Sequence, residues 1–327
     1  MSSSLWTLWQ QCYPPAPTFT EKDLALGSQV GKVFIITGAN SGIGLDLVKF
    51  LYPTGATIYL ASRSLEKSYK VIEEVSSISP APATPATLKA LRLDLLDLTT
   101  VKPAASSFAA QESRLDIIWH NAGYGHAPGS QTKQGLEAHT GAHCVAPLLF
   151  TQELLPQLQE AAKTAPKDSV RVIWTGSIRI DINSPVGGGI DDYARFEKPT
   201  TNLEVNYAIS KVGNYFLAVE GAKRWGKDGI ISVCHNPGNL YTPIWDVISW
   251  WYVALLRLFV LHPSKYGAYT MLYSGFSPDV NESTNGAYIW PWGRIRPIGR
   301  SDILQAASEG KATEFWEWCE KKWKQYA

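Results

Sequence analysis

Tyr207 and Lys211 stand four residues apart in Tyr207-Ala208-Ile209-Ser210-Lys211. On a helix that spacing sets a phenol and an ammonium on one face. A free tyrosine gives up its proton only near pH ~10. A neighbouring ammonium favours the phenolate and lowers that value. Such a tyrosine donates a proton to a carbonyl under reduction, or removes one from an alcohol. Ser177 follows the apolar run 170–175, so its hydroxyl is expected at the carboxyl end of a strand, the ligand-binding edge of an open α/β sheet.

A second group is suited to phosphate. Thr37-Gly38-Ala39-Asn40-Ser41-Gly42-Ile43-Gly44 lies between a β-type run and a helical one. Glycines let the backbone approach a pyrophosphate, and the helix that follows offers free N–H groups and the positive end of its dipole. The next strand ends in Leu60-Ala61-Ser62-Arg63-Ser64, with no carboxylate to bind ribose hydroxyls. Arg63 has the planar fork that suits a 2′-phosphate, so the expected cofactor is NADP(H).

The elements that must carry these groups alternate. Residues 32–37, 56–61, 87–93, 115–119, 170–175 and 230–235 read as strands, and helical patterns such as 43–52 and 64–78 separate most of them. Residues 79–87 are rich in Pro, Ala and Thr and read as a surface loop. Alternation of this kind implies parallel strands joined by right-handed crossovers. The expected fold class is α/β, a doubly wound (Rossmann) parallel sheet with helices on both faces, in a single domain. Its expected division is an N-terminal arm (1–30), the Rossmann domain (31–300) and a C-terminal helix (301–327). Within the domain, 178–205 reads as an insert and 243–275 as a lid over the substrate.

Composition removes several other classes. The 327 residues carry 30 Lys plus Arg against 29 Asp plus Glu, a net charge of +1, which disfavours nucleic acid as a partner. With 45% hydrophobic and 18% charged residues the chain is globular rather than disordered. Four cysteines, with no Cys-x-x-Cys pair, suit reduced thiols and a cytoplasmic location. The first ten residues lack the basic and apolar regions of a signal peptide. Residues 244–261 are mostly apolar but contain Asp246 and Arg257, so they suit an amphipathic helix and no transmembrane span. Packing on the protein's own core is the expectation there, with weak membrane contact as the lesser alternative.

Taken in order, Thr37 to Gly44, Asn121-Ala122-Gly123, Ser177, Tyr207 with Lys211, and Pro237-Gly238 resemble the short-chain dehydrogenase/reductase family. The segments Pro17 to Asp23 and Tyr288 to Gly293 are similar to its retinol-dehydrogenase-like branch, and look closest to reductases of filamentous-fungal secondary metabolism. The resemblance implies roles. Gly38, Asn40, Ser41, Gly42, Ile43 and Gly44 would line the cofactor phosphates, and Arg63 would hold the 2′-phosphate. Asp94 and Leu95 would meet the adenine. Asn121, Ala122 and Gly123 would lie beside the adenosine ribose. Ser177 would orient the substrate oxygen, and Tyr207 would be the acid/base. Lys211 would bind the nicotinamide ribose and tune Tyr207. Pro237, Gly238 and Thr242 would border the nicotinamide.

Three departures stand out. His143 occupies the place where the resemblance leads one to expect a fourth catalytic residue, an Asn that supports a water beside the lysine. An imidazole there either relays protons itself or simply bonds within its helix. The 178–205 stretch is long and contains Gly187-Gly188-Gly189 and Asp191-Asp192, read as a flexible acidic loop, either surface elaboration or substrate contact. His120 stands before Asn121 where a second Asn is common, and reads as a core histidine. His139 and His143 have ligand-like i, i+4 spacing, but no third ligand is apparent, so no metal is expected.

The substrate is expected to be a small molecule that is bulky, aromatic or polycyclic. That expectation rests on Tyr124, His126, Trp174 and the lid's Trp245, Trp250, Trp251 and Tyr252. The leading activity is NADPH-dependent reduction of a carbonyl, or of a related C=N or C=C bond. The alternatives are an NADP-dependent alcohol dehydrogenase of retinoid or steroid type, a non-redox cyclase or isomerase, and a cofactor-binding regulatory protein. The resemblance also leaves open a homodimer formed through helices around 131–159 and 206–225.

Overall fold

The computed structural model describes residues 5–123, 127, 129–190, 193, 201–242 and 260–326. Its centre is an eight-stranded sheet. β1 (Val33–Thr37), β2 (Thr57–Ser62), β3 (Thr87–Arg92), β4 (Ile117–His120), β5 (Val170–Thr175) and β6 (Ile230–His235) are all mutually parallel. A two-residue parallel pair, β7 (Leu240–Tyr241) with β8 (His262–Pro263), lies outside the main sheet. β9 (Tyr288–Trp290) adds in parallel to β6, and β10 (Arg294–Ile295) closes the edge in antiparallel fashion. The spatial order is β10-β9-β6-β5-β4-β1-β2-β3. This is a Rossmann-like doubly wound sheet, and its order reverses between β1 and β4.

The strands form where they do because both sheet faces are covered. β1, β4, β5 and β6 are buried along their whole length, so they read as unbroken apolar runs. Two separate cores lie on the two faces. One holds Phe34, Ile36, Leu47, Trp119 and Met271. The other holds Ile35, Tyr59, Leu149, Trp174, Phe216 and Trp316.

In chain order the helices are α1 (Leu5–Cys12), α2 (Gly42–Leu51), α3 (Leu65–Ser76) and α4 (Val101–Ala109). Next comes one helical run made of α5 (Ala138–Thr140), a π turn (Gly141–Val145) and α6 (Ala146–Glu153). Then follow α7 (Leu155–Thr164), α8 (Arg179–Asn183), α9 (Leu203–Trp225) and α10 (Lys265–Phe276). The chain ends in α11 (Ser301–Ser308) and α12 (Lys311–Trp323), two helices where the sequence suggested one.

α9 is the backbone of the site side. Asn202 caps its first turn, with its side chain accepting from Val205 N. Its C-terminal half is covered by α12: the rings of Trp225 and Trp316 meet 5.1 Å apart, and Thr313 donates to buried Glu220 at 2.8 Å. A Cβ on Gly213 would come within 2.8 Å of Phe315, so only glycine permits this approach.

Two expectations change on contact with the structure. The glycine turn expected to be flexible is, over Val186–Gly189, a 3-10 turn tied down from two sides. Gly187 N donates to Asp302 at 2.9 Å, and Gly188 packs on Val212. Arg300 adds bonds to the Ser184 and Pro185 carbonyls. The insert's described half thus docks on the start of the C-terminal helices. Trp174, expected in an aromatic substrate pocket, is fully buried on β5, where its indole N–H donates to Ser232 and its ring stacks on His120. The amphipathic segment 244–261 lies almost wholly outside the described residues. Among the described residues no helix is long and apolar enough to cross a membrane.

Candidate active site

Parallel strands bring their carboxyl ends to one edge, and each motif of the sequence follows one of them. Gly38 follows β1, Arg63 follows β2, and Asp94 and Leu95 follow β3. Asn121 follows β4, Ser177 follows β5, and Pro237 follows β6.

At the reversal point the loops after β1 and β4 lock together. Gly38 has φ +69°, and a Cβ there would lie 2.8 Å from the Ala122 backbone. Ala122 N donates to Thr37 Oγ1 at 2.9 Å, and Asn121 Nδ2 donates to the Thr37 carbonyl at 3.0 Å. A Cβ on Gly44 would meet Gly38 O at 2.7 Å and Asn121 Nδ2 at 2.8 Å. Asn40 is held from outside, its Oδ1 accepting from Ser68 Oγ at 2.9 Å.

α2 then begins at Gly42, and its N-cap Ser41 makes no side-chain capping bond. The first N–H groups of the helix are therefore left for another acceptor. A tight glycine cradle, a helix start without a side-chain cap and exposed Arg63 at the end of β2 suit an anionic dinucleotide. Asp94 uses one carboxylate oxygen within its own turn, accepting from Leu96 N at 3.1 Å. Leu95 is half-buried against the core.

The catalytic candidates converge beneath the ends of β4 and β5. Lys211 is buried on α9, and its ammonium donates to the Thr175 carbonyl at 3.0 Å. It also lies 5.4 Å from the centre of the Tyr207 ring. Tyr207, one turn earlier, is only partly buried. Ser177 is partly buried as well, and its hydroxyl accepts from Arg179 N at 3.2 Å, which starts α8. Two other phenols on this side, Tyr215 and Tyr288, are pushed up by burial, Tyr215 to about 12.

His143 sits on the π turn, a helix distortion common at functional sites. Its Nδ1 lies 2.9 Å from Ser210 Oγ, and that hydroxyl donates to the Tyr207 carbonyl at 2.7 Å. The bond network therefore assigns the proton to Nδ1 and leaves Nε2 as the basic nitrogen. A Cβ on Gly123 would lie 3.5 Å from His143 Nε2 and 3.8 Å from Lys211 Nζ, so these two nitrogens border one space.

Two participants, Asn214 and Glu137, were not singled out in the sequence. Asn214 Nδ2 donates to the same Thr175 carbonyl as Lys211, at 2.7 Å. Its position seven residues after Tyr207 was the available signal. Glu137 and His139 form a buried pair at 2.8 Å, and the His139 ring meets the Tyr207 ring edge-on at 5.7 Å. Burial alone would raise the Glu137 pKa, but the bonds from His139 and Thr140 outweigh it and hold it low.

Pro237 is buried beyond β6, and Gly238 has φ +100°. Thr242 is partly buried just past β7. Tyr124, His126 and Trp245 lie outside the described residues. His120 is a core histidine bonded to Thr151 at 2.7 Å.

Comparisons with known proteins bear on the family and the fold. Residues 32–180 match the family model described as short chain dehydrogenase. The chain is 69% identical over 324 residues to the short-chain dehydrogenase/reductase iacJ of Pestalotiopsis fici, covering 99% of each chain. Among solved structures it resembles an NADPH-bound carbonyl reductase from chicken fatty liver, with TM-score 0.60 and 23% identity, over 83% of this chain and 100% of that one. It also resembles a 3-ketoacyl-(acyl-carrier-protein) reductase from Brucella melitensis in complex with NADH, with TM-score 0.57 and 20% identity, over 79% and 96%. At these identities the two structures speak for the fold alone.

Proposed function

Because the chain belongs to the short-chain dehydrogenase/reductase family, we propose that this oxidoreductase is an NADP(H)-dependent carbonyl reductase of a bulky aromatic or polycyclic small molecule. The observation that carries the reading is the convergence of Tyr207, Lys211 and Ser177 at the carboxyl end of β5. Such a site handles one proton on one oxygen atom.

NADPH, when bound, supplies a hydride to the carbonyl carbon. The chain's own residues do the rest. Ser177 Oγ hydrogen-bonds the substrate oxygen and orients it. The Tyr207 hydroxyl delivers a proton to that oxygen as negative charge develops. The Lys211 ammonium offsets the charge left on the phenolate. Arg63, exposed beside the glycine loop, supports the preference for a 2′-phosphate. The aromatic substrate class rests on the Trp-rich sequence after Thr242. A role in secondary metabolism and a cytoplasmic location belong to the same proposal. The reverse reaction, oxidation of an alcohol, would use the same three side chains.

The test is product analysis. The purified protein is mixed with NADPH or NADH and a panel of aromatic and polycyclic ketones, with small polar aldehydes as controls. Stoichiometric NADPH consumption with formation of an aromatic alcohol is the expected result. Turnover confined to the small aldehydes would overturn the substrate class, and equal use of both cofactors would overturn the NADP(H) preference.

A further inference from the structure

The N-terminal helix α1 has eight residues, too few to be stable alone in water. It is nonetheless placed, and its last turn is threaded into the carboxyl edge of the sheet. Gln11 is only 1% exposed. Its Nε2 donates to Asp181 Oδ2 at 2.9 Å, and its Oε1 accepts from Asn236 Nδ2 at 2.9 Å. Both partners are themselves buried, and they lie 170 and 225 residues away in sequence.

Each partner belongs to a segment of the site. Asp181 is in α8, whose first turn is joined to the Ser177 hydroxyl through Arg179 N. Asn236 stands directly before Pro237-Gly238, and its Oδ1 accepts from Gly238 N at 3.0 Å. An amide has one donor end and one acceptor end. By accepting from Asn236 Nδ2, Gln11 fixes that side chain with its oxygen toward Gly238. The neighbouring residues clamp the same helix end: Arg294 donates to the Gln10 carbonyl at 2.9 Å, and His262 Nε2 lies 2.9 Å from the Cys12 carbonyl.

We propose that Gln11 is a positioning residue of the active site, setting the separation between the Ser177 segment and the Pro237-Gly238 segment that would flank the nicotinamide. The N-terminal arm is then part of the catalytic unit rather than an appendage. The inference rests on the cofactor placement given above. A buried amide bonded at both ends is costly to replace, because its removal takes one buried hydrogen bond from each of Asp181 and Asn236.

The test uses the full chain and two probes, NADP+ and 2′,5′-ADP, with affinities measured by titration calorimetry. The second probe lacks the nicotinamide half and reports only on the glycine loop and Arg63. Gln11→Leu is expected to bind 2′,5′-ADP like the parent and NADP+ about tenfold more weakly. Gln11→Glu sets two buried carboxylates against each other and is expected to lose more. Gln11→Glu combined with Asp181→Asn exchanges carboxylate and amide across the pair at constant charge, and is expected to recover most of the NADP+ affinity. Unchanged binding of both probes by Gln11→Leu overturns the inference. Equal weakening of both probes, or no recovery in the exchanged pair, also overturns it, since either marks a merely structural role. A parent protein that binds neither probe would instead overturn the cofactor reading itself, a result distinct from any of these.

Discussion

The rings of His143 and Tyr207 meet edge to face, with centroids 5.7 Å apart and planes at 89°. His143 is also bonded to Ser210, which bonds to the Tyr207 carbonyl, so the imidazole is tied to the phenol's own helix turn. Its Nε2 borders the same space as Lys211 Nζ, so a proton relay through the imidazole is a role that substitution can test. His143→Asn keeps a polar side chain and removes the imidazole. The expected outcome is a roughly tenfold fall in kcat with an altered pH profile. An unchanged rate and profile would leave the imidazole no special part.

Tyr207→Phe removes one oxygen from a half-buried ring and little else. Turnover should fall by about 10²–10⁴-fold, while NADPH still binds. Lys211→Ala should lower turnover and weaken cofactor binding together. Steady-state rates paired with NADPH titration separate the two cases.

Arg63 lies at the end of β2, away from the catalytic groups. Arg63→Ala should weaken NADPH binding by about tenfold or more, through loss of a charge-assisted pair, and should leave NADH binding nearly unchanged. Parallel titrations with both cofactors check this, and equal losses for the two would refute it.

α12 lies across α9, a helix that the family resemblance offers for pairing with a second copy. A Cβ on Gly213 would sit 2.7 Å from Cys144 Sγ and 2.8 Å from Phe315. Gly213→Val should therefore cost roughly 1–3 kcal/mol by overpacking, read as a lower midpoint in urea unfolding. With this face already filled, the parent protein should elute as one chain in size-exclusion chromatography with light scattering. A dimer at micromolar concentration would contradict that.

Two buried histidines set an acid limit on stability. Burial lowers the pKa of His120 from 6.5 to about 3. Burial, helped by the Lys211 ammonium, does the same to His235, again to about 3. Between those values the unfolded chain binds protons that the folded chain refuses. Stability is therefore complete above about pH 6.5 and is lost as the pH falls toward 3. Each histidine contributes a slope of about 1.4 kcal/mol per pH unit in that window. Urea unfolding at several pH values should show the slope, and His235→Gln should reduce it by about one histidine's share.

Most of the fold was legible in the chain because parallel strands buried on both faces must be continuous apolar runs. The six runs centred on Val33–Thr37 through Ile230–His235 all became strands within a residue or two. The glycine loop, Ser177, Tyr207 and Lys211 were legible for a related reason. Their chemistry needs particular residue types at fixed offsets from a strand end or within one helix turn. β9 and β10 were not read as strands, since three- and two-residue strands are too short to show a period. Trp174 was misplaced because an indole in a strand looks alike whether it faces a pocket or a core.

What tertiary structure alone decided is which distant side chains meet. Nothing in the sequence pairs Gln11 with Asp181 and Asn236, or Glu137 and His139 with Tyr207. Nor does it show that Phe315 requires a glycine at position 213. Local spacing carries propensity and face, whereas these meetings depend on where the sheet order places each loop. The composition and motifs of the chain thus determined the architecture and the placing of Tyr207 and Lys211 one turn apart on one helix. The packing of the N-terminal helix on the carboxyl edge, and of the last helix along α9, was decided by tertiary structure alone.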